Sequence, residues 1–260
     1  MNSLSKIIEK LKSSEDVDAV FITGSHGTKE SRSYSDIDLV IILKENRKNL
    51  YSLFRWIDGV FADIYFFDLD DLKRIGDITE PHEDSWDEVF LEWLKKSDIN
   101  FDKSGTLSEL KNKTKENGNV LISTKVKNDV WQRINYNYVA NKRYFESKDP
   151  LYLEALELRL LYSVLKIISG YLSLRDVAWR GEKAAVKYLK NNHLDFYNLF
   201  IKYSKSELLE TRFELYSQMV NLVFTNEYKK WTEETEVILK KDSSVVEKSD
   251  TVADYVKSLF

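Results

Sequence analysis

The 260-residue sequence has no cysteine, 2 prolines, 8 glycines and 3 histidines. Without cysteine there is no disulfide scaffold, no thiolate zinc site and no thiol nucleophile. The same absence fits a reducing compartment. With so little proline and glycine, long uninterrupted helices are expected. No apolar run approaches the roughly 20 residues needed to cross a bilayer. The opening stretch, MNSLSKIIEKLKSSEDVDAV, reads as an amphipathic helix broken by charge, without the apolar core of a signal peptide. A soluble, cytoplasmic protein without a membrane partner is expected. A basic excess is missing too: 39 Lys and Arg stand against 43 Asp and Glu, a net charge of −4. That balance argues against a non-specific nucleic-acid coat, which needs a basic surface.

What is present is enough apolar material, 43% of residues, to exclude wholesale disorder. The length suits one large domain or two modest ones. Short apolar β-prone runs occupy 18–23, 37–43 and 60–67, and a further strand is read over 98–102 with a Lys103-Ser104-Gly105 turn after it. The run Ile37–Leu43 is nearly continuous in Ile, Leu and Val, as expected of a strand buried on both faces. Residues 3–12, 49–58 and 83–96 read as helices, the last with Trp86, Val89, Phe90, Trp93 and Leu94 on one stripe. The segment 111–119, KNKTKENGN, is polar and is taken as the domain boundary. Beyond it the strand signal fades. Helices are read over 125–146, 151–172, 180–190 and 205–224, with Pro150 in the first turn of the second. The expected fold is therefore α+β: an α/β domain with a mixed sheet over 1–115, a helical bundle over 120–241, and a polar linker with a short terminal helix over 242–260.

The informative residues lie between the first and third runs. Thr23-Gly24-Ser25-His26-Gly27-Thr28 follows a strand, and Ser33-Tyr34-Ser35-Asp36-Ile37-Asp38-Leu39-Val40 opens the next. Strand side chains alternate, so Asp36 and Asp38 share a face with Cα atoms about 7 Å apart. Two like charges side by side are unfavourable without a cation. Oxygen donors of this kind suit Mg²⁺. Asp63 is the lone charge in the apolar run Phe61-Ala62-Asp63-Ile64-Tyr65-Phe66-Phe67, a costly position unless the carboxylate is paired or metal-bound. Three such groups on adjacent strands can hold two cations across an in-line displacement at phosphorus. Backbone N–H groups of the Gly24-Ser25 turn and the Ser25 hydroxyl can cradle phosphates.

The pattern GSHGT, SDIDLVII, ADIYFFD resembles the nucleotidyltransferase superfamily of DNA polymerase β-like folds, and with a helical domain behind it, the antibiotic nucleotidyltransferases of aminoglycoside and lincosamide kind. The stretch FDKSGTL at 101–107 resembles a recurring strand end in the small bacterial members. The resemblance implies that Asp36 and Asp38 are the metal-binding pair, Asp63 the third carboxylate, and Gly24 and Ser25 the phosphate-binding turn. Lys29, which lies between the two motif halves within reach of phosphate oxygens, and Ser35 are further candidate nucleotide contacts. The resemblance also implies Mg²⁺-dependent transfer of a nucleoside monophosphate, AMP from ATP, to an acceptor hydroxyl, with loss of pyrophosphate. Lincosamide members place a Gly-Glu after the third strand as general base. Here the comparable stretch is Arg74-Ile75-Gly76-Asp77, which makes Asp77 the candidate base, with Glu80 and Glu83 as substitutes.

Several residues have a plainer reading beside the functional one. Lys29 and Arg32 are equally read as solvated loop charges. His82 and His193 have no second ligand at metal spacing and read as surface or capping residues. Trp131, Tyr136, Tyr138 and Tyr144 read as bundle core. Two other functions stay open. One is a nucleotidyltransferase of toxin–antitoxin type that modifies RNA or a partner protein, to which the basic cluster Lys111, Lys113, Lys115, Lys125 and Lys127 would contribute. The other is a catalytically idle binding module whose bundle serves a homodimer.

Overall fold

The computed structural model describes residues 3–24, 35–77, 86–116, 122–240, 244–245 and 251–259. The chain divides into two compact units, Met1–Asn119 and Val120–Phe260.

The first unit is built on five strands: β1 (Val17–Thr23), β2 (Ile37–Leu43), β3 (Ser52–Ile57), β4 (Val60–Asp68) and β5 (Asp98–Asp102). Their order across the sheet is β3-β4-β2-β1-β5. β2 and β4 are parallel, and every other neighbouring pair is antiparallel, so the sheet is mixed as the sequence led us to expect. One face carries Ala19, Phe21, Val40, Ile42 and Phe67. It is covered by α2 (Leu69–Gly76), α3 (Trp86–Lys96) and α4 (Thr106–Glu116) through Leu72, Ile75, Phe90, Leu94, Leu107 and Leu110. The other face, with Val20, Leu39, Ile41, Ala62 and Ile64, packs against Leu4, Ile7, Ile8 and Leu11 of α1 (Ser3–Ser13). β2 thus has apolar partners on both sides.

Two expectations are corrected here. Residues 52–57 form a strand, not part of a helix. The helical reading missed Asp58-Gly59, whose φ values of 51° and 78° make the tight hairpin turn that joins β3 to β4. Positive φ at both central positions matches the right-handed strand twist. The polar segment read as a flexible boundary is helical as far as Glu116. Asp102 starts that helix by accepting the backbone N–H of Gly105 (3.0 Å) and both the N–H and the hydroxyl of Ser108 (2.8 and 2.7 Å). Ser104 meanwhile donates to the buried Asp18 at 2.7 Å. The basic cluster is divided as a result, with Lys111 and Lys113 on α4 and Lys125 and Lys127 on the following helix. Lys113 and Lys127 are paired with Glu109 and Asp176.

α2 starts at a capping box: Asp68 accepts the N–H of Asp71 (2.9 Å), and the Asp71 carboxylate accepts the N–H of Asp68 (3.1 Å). This pairing satisfies two otherwise orphaned donors and fixes where the chain leaves β4.

The second unit is helical: α5 (Thr124–Ser147), α6 (Pro150–Ser173), α7 (Glu182–Asn192), α8 (Leu194–Lys205), α9 (Leu209–Val223) and α10 (Thr251–Lys257). Pro150 occupies the first turn of α6, where its missing N–H costs nothing, and Asp149 caps that end through Leu151 N–H (2.9 Å). The helix read over 205–224 starts later, at Leu209, and α8 before it was not anticipated. His193 joins α7 to α8, and its N–H donates to Leu189 O at 2.8 Å. Trp131, Tyr138 and Tyr144 pack on the core, but Tyr136 is exposed. Among the described residues no helix is long and apolar enough to cross a membrane.

At the centre of this unit lies a polar knot. Asn141, fully buried on α5, donates to Ser163 Oγ (3.1 Å) on α6 and to Tyr216 OH (3.0 Å) on α9, and accepts from Arg159 Nε (2.6 Å). Leucine at 141 would strand three polar partners. Asn141→Leu is expected to destabilise the unit by about 1–3 kcal/mol, read as a lower melting temperature by circular dichroism. An unchanged transition would show that the knot contributes nothing.

Candidate active site

The site lies on the sheet face covered further along by α2, α3 and α4. Asp38 stands directly across from Asp63 in the parallel β2–β4 pair. Asp36 precedes β2 by one residue and shares the face of Asp38. Each of the three offers one carboxylate oxygen, and these oxygens lie within 4.8 Å of one another. They form the one such group of potential ligands among the described residues. All three are half-buried, and Asp63 Oδ1 is buried without a hydrogen-bond partner among the described residues.

The electrostatics follow from that crowding. Burial first, and then the charge of Asp36, push the Asp63 carboxyl above its ordinary value. Tyr65, two residues along the same face, is pushed up to about 12 by burial and then by Asp63 and Asp38. Its phenol therefore stays protonated beside the cluster.

Gly24, just past the end of β1, is fitted against this group. Its φ is +64°, and a Cβ there would lie 1.9 Å from Asp38 Oδ2. No L side chain can occupy the position without displacing that carboxylate. A close backbone approach, an orphaned buried carboxylate oxygen and three hard oxygen donors together fit a divalent cation of the Mg²⁺ type.

A family model described as polymerase beta, nucleotidyltransferase, matches residues 5–126. Residues 5–126 are a nucleotidyltransferase domain of the polymerase β superfamily. No curated protein matches the chain. Among solved structures, a nucleotidyltransferase-like protein from Exiguobacterium sibiricum is similar at 10% identity over 85% of this chain and 73% of its own, with a TM-score of 0.46.

Within the nucleotidyltransferase domain the remaining expected site residues fall as follows. Ser35 is buried immediately before Asp36. Ser25 and Lys29 lie outside the described residues, as do His26, Arg32, Glu80, His82 and Glu83. Asp77 caps the end of α2, its N–H donating to Lys73 O (3.1 Å), and its side chain is exposed. It lines a cleft of about 300 Å³ between α2 and α4, with Lys73, Gly76, Glu109 and Lys113. The close group of three carboxylates does not include it.

Sequence reasoning missed the aromatic surroundings. Tyr65 packs against Trp93 (5.0 Å between centroids), Trp86 (5.6 Å) and Tyr51 (6.4 Å). Across the β3–β4 ladder, Phe54 stands opposite Asp63, and Trp56 opposite Phe61. The alternation Phe61, Asp63, Tyr65, Phe67 was visible in the sequence and places all four on one face. Phe54 and Trp56 could not be placed while residues 49–58 were read as a helix.

The raised Asp63 carboxyl gives a signed expectation. Above its folded pKa the ionised group is held at a cost that the unfolded chain does not bear. The metal-free protein should therefore gain stability from this residue as pH falls through that value. Conversely, the stabilisation that Mn²⁺ or Mg²⁺ provides should grow as pH rises through it. Asp63→Asn should stabilise the metal-free protein and abolish the metal-dependent rise in melting temperature; a rise equal to wild type would remove Asp63 from the ligand set. Gly24→Ala should weaken metal binding at least tenfold by displacing Asp38, as titration calorimetry would show.

Proposed function

We propose that this protein transfers a nucleoside monophosphate, AMP from ATP, to a hydroxyl of a small molecule and releases pyrophosphate. The observation that supports the reading best is the convergence of Asp36, Asp38 and Asp63 on one sheet face, with a buried Asp63 oxygen that has no hydrogen-bond partner among the described residues. Mg²⁺ ions held by these three residues, two in the reading favoured here, would neutralise charge on the phosphates and on the leaving group. The Gly24-Ser25 turn, with Lys29 and Ser35, is assigned to the nucleotide. The acceptor oxygen bonds to the α-phosphorus while the bond to pyrophosphate breaks, and the hydroxyl proton passes to a carboxylate base, for which Asp77 is the candidate. A cytoplasmic location, where ATP is at hand, belongs to the same proposal.

Charge distribution favours a small cationic or neutral acceptor over RNA. Residues 1–119 hold 17 basic and 24 acidic side chains, and residues 120–260 hold 22 and 19. The acidic excess thus sits in the unit that bears the three carboxylates. Such a surface repels a polyanion and draws in a cation. An aminoglycoside or lincosamide antibiotic is the acceptor class we assign, with tRNA or a partner protein as the second reading. The exposed row Leu151, Leu158, Leu161 and Leu165 along α6 is the surface that a homodimer would use.

Labelled ATP incubated with Mg²⁺ and a panel of antibiotics and RNAs tests the assignment directly, by asking which acceptor gains the mass of a nucleotide. Asp38→Asn should abolish turnover with the fold intact. Turnover at the wild-type rate would refute the active site. Asp77→Asn should lower kcat about 10²-fold or more with ATP affinity unchanged, and a normal rate would remove it as the base.

A further inference from the structure

Three large aromatic side chains continue the carboxylate face toward the sheet edge and are left uncovered. Phe54 is 58% exposed, Trp56 66% and Phe61 39%. Phe54 and Phe61 stack with their planes 6° apart and centroids 6.3 Å apart, and Trp56 meets Phe61 edge-on at 5.4 Å. Single exposed apolar residues are ordinary. Three contiguous rings on the edge hairpin of a sheet, next to half-buried acidic groups, form a patch of the kind that binds something.

Their position in the sheet says what. Reading across the face from β1 to β3, the order is Gly24, Asp38, Asp63, Phe54, with Asp38 opposite Asp63 and Asp63 opposite Phe54 in the ladders. Displacement at phosphorus is in line: the attacking oxygen enters opposite the departing one. If the triphosphate lies toward the Gly24 turn, pyrophosphate leaves on the β1 side, and the acceptor hydroxyl must come from the side of β4 and β3. We propose that Phe54, Phe61 and Trp56 are the floor on which the acceptor assigned above lies. This inference rests on the nucleotidyl-transfer reading above and adds the location of the acceptor subsite.

The chemistry of the floor suits a cationic ring compound. Aromatic faces are the negative side of the ring quadrupole, and an ammonium group over such a face is attracted. The neighbouring carboxylates have the same sign preference. The flat C–H face of a saccharide ring makes dispersion contact with an open aromatic surface. A phosphate-bearing acceptor meets the opposite field. Two other occupants are conceivable for the same patch. One is the base of the nucleotide, which would stack on it. The other is the β3 edge of a second copy, since an uncovered edge strand offers unpaired backbone groups.

The test uses the full-length protein with Mg²⁺ and α,β-methylene-ATP, which binds but does not transfer. Kanamycin affinity for this complex is measured by calorimetry in wild type, in the double variant Phe54→Ala/Trp56→Ala, and in the conservative pair Phe54→Tyr/Trp56→Phe. Both side chains are exposed, so neither change disturbs the core. The alanine variant should bind kanamycin about tenfold or more weakly, with nucleotide affinity held, and the aromatic pair should restore binding. Equal kanamycin affinity in wild type and the alanine variant overturns the floor while leaving nucleotidyl transfer standing. Wild type that binds nucleotide but no kanamycin overturns the amino-sugar class. A parallel loss of nucleotide affinity gives the patch to the base, and a shift from dimer to monomer on sedimentation gives it to a second copy; either result overturns the proposal. Wild type that binds no nucleotide overturns this inference together with the reading beneath it.

Discussion

Mutual repulsion among Asp36, Asp38 and Asp63 is the constraint around which the first unit is arranged. Left to themselves, three carboxylates with oxygens inside 4.8 Å would separate or take up protons. They are kept together because each stands on or beside a strand whose opposite side is fully committed to burial. Ile37 and Leu39 alternate with the two aspartates on β2, and Ala62 and Ile64 flank Asp63 on β4, all of them buried. The free energy that holds the charges in place comes from apolar surface on the far side of the sheet. Burial first, and the neighbouring carboxylates second, raise the Asp63 carboxyl and the Tyr65 phenol. Gly24 adds a steric wall, with no room left between its backbone and Asp38.

The helical unit treats polar groups in the opposite way. Its buried Asn141 has partners from two other helices, and its Tyr216 phenol, raised by burial, is hydrogen-bonded to the same asparagine. A satisfied network specifies packing and has no remaining appetite for a ligand. Oδ1 of Asp63 is the reverse case, a buried polar atom without a hydrogen-bond partner among the described residues. That contrast separates a structural polar cluster from a binding one better than charge or burial alone.

Much of this was legible in the chain. The strands β1, β2, β4 and β5 are short apolar runs bounded by turn residues, and the D-x-D spacing fixed the shared face of Asp36 and Asp38 by strand alternation alone. Asp63 stood out as one charge in an apolar strand. That it lies directly across from Asp38, on a parallel neighbour, depends on pairing between segments some 25 residues apart, and no local pattern states it. β3 was misread because Leu50, Phe54 and Ile57 fit a helical spacing, whereas the hairpin turn at Asp58-Gly59 decides the matter through backbone conformation. The aromatic patch was hidden by the same error. The start of α4 was hidden for another reason: Asp102 caps it from the end of a strand, so the polar run after Leu110 looked like a linker although its first turn was already anchored.

The parallel ladder between β2 and β4 also acts as a proofreading device. Side chains repeat every two residues along a strand, so sliding one strand past the other by a single position would turn Asp63 toward α1 and bring Ala62 or Ile64 into the acidic group. Such a slipped state would bury a lone carboxylate among Val20, Leu39 and Ile41, at a cost no cation could offset there. Misaligned and aligned forms are therefore expected to differ steeply in energy. Assembly of the three-carboxylate group and correct strand alignment are in this protein a single event.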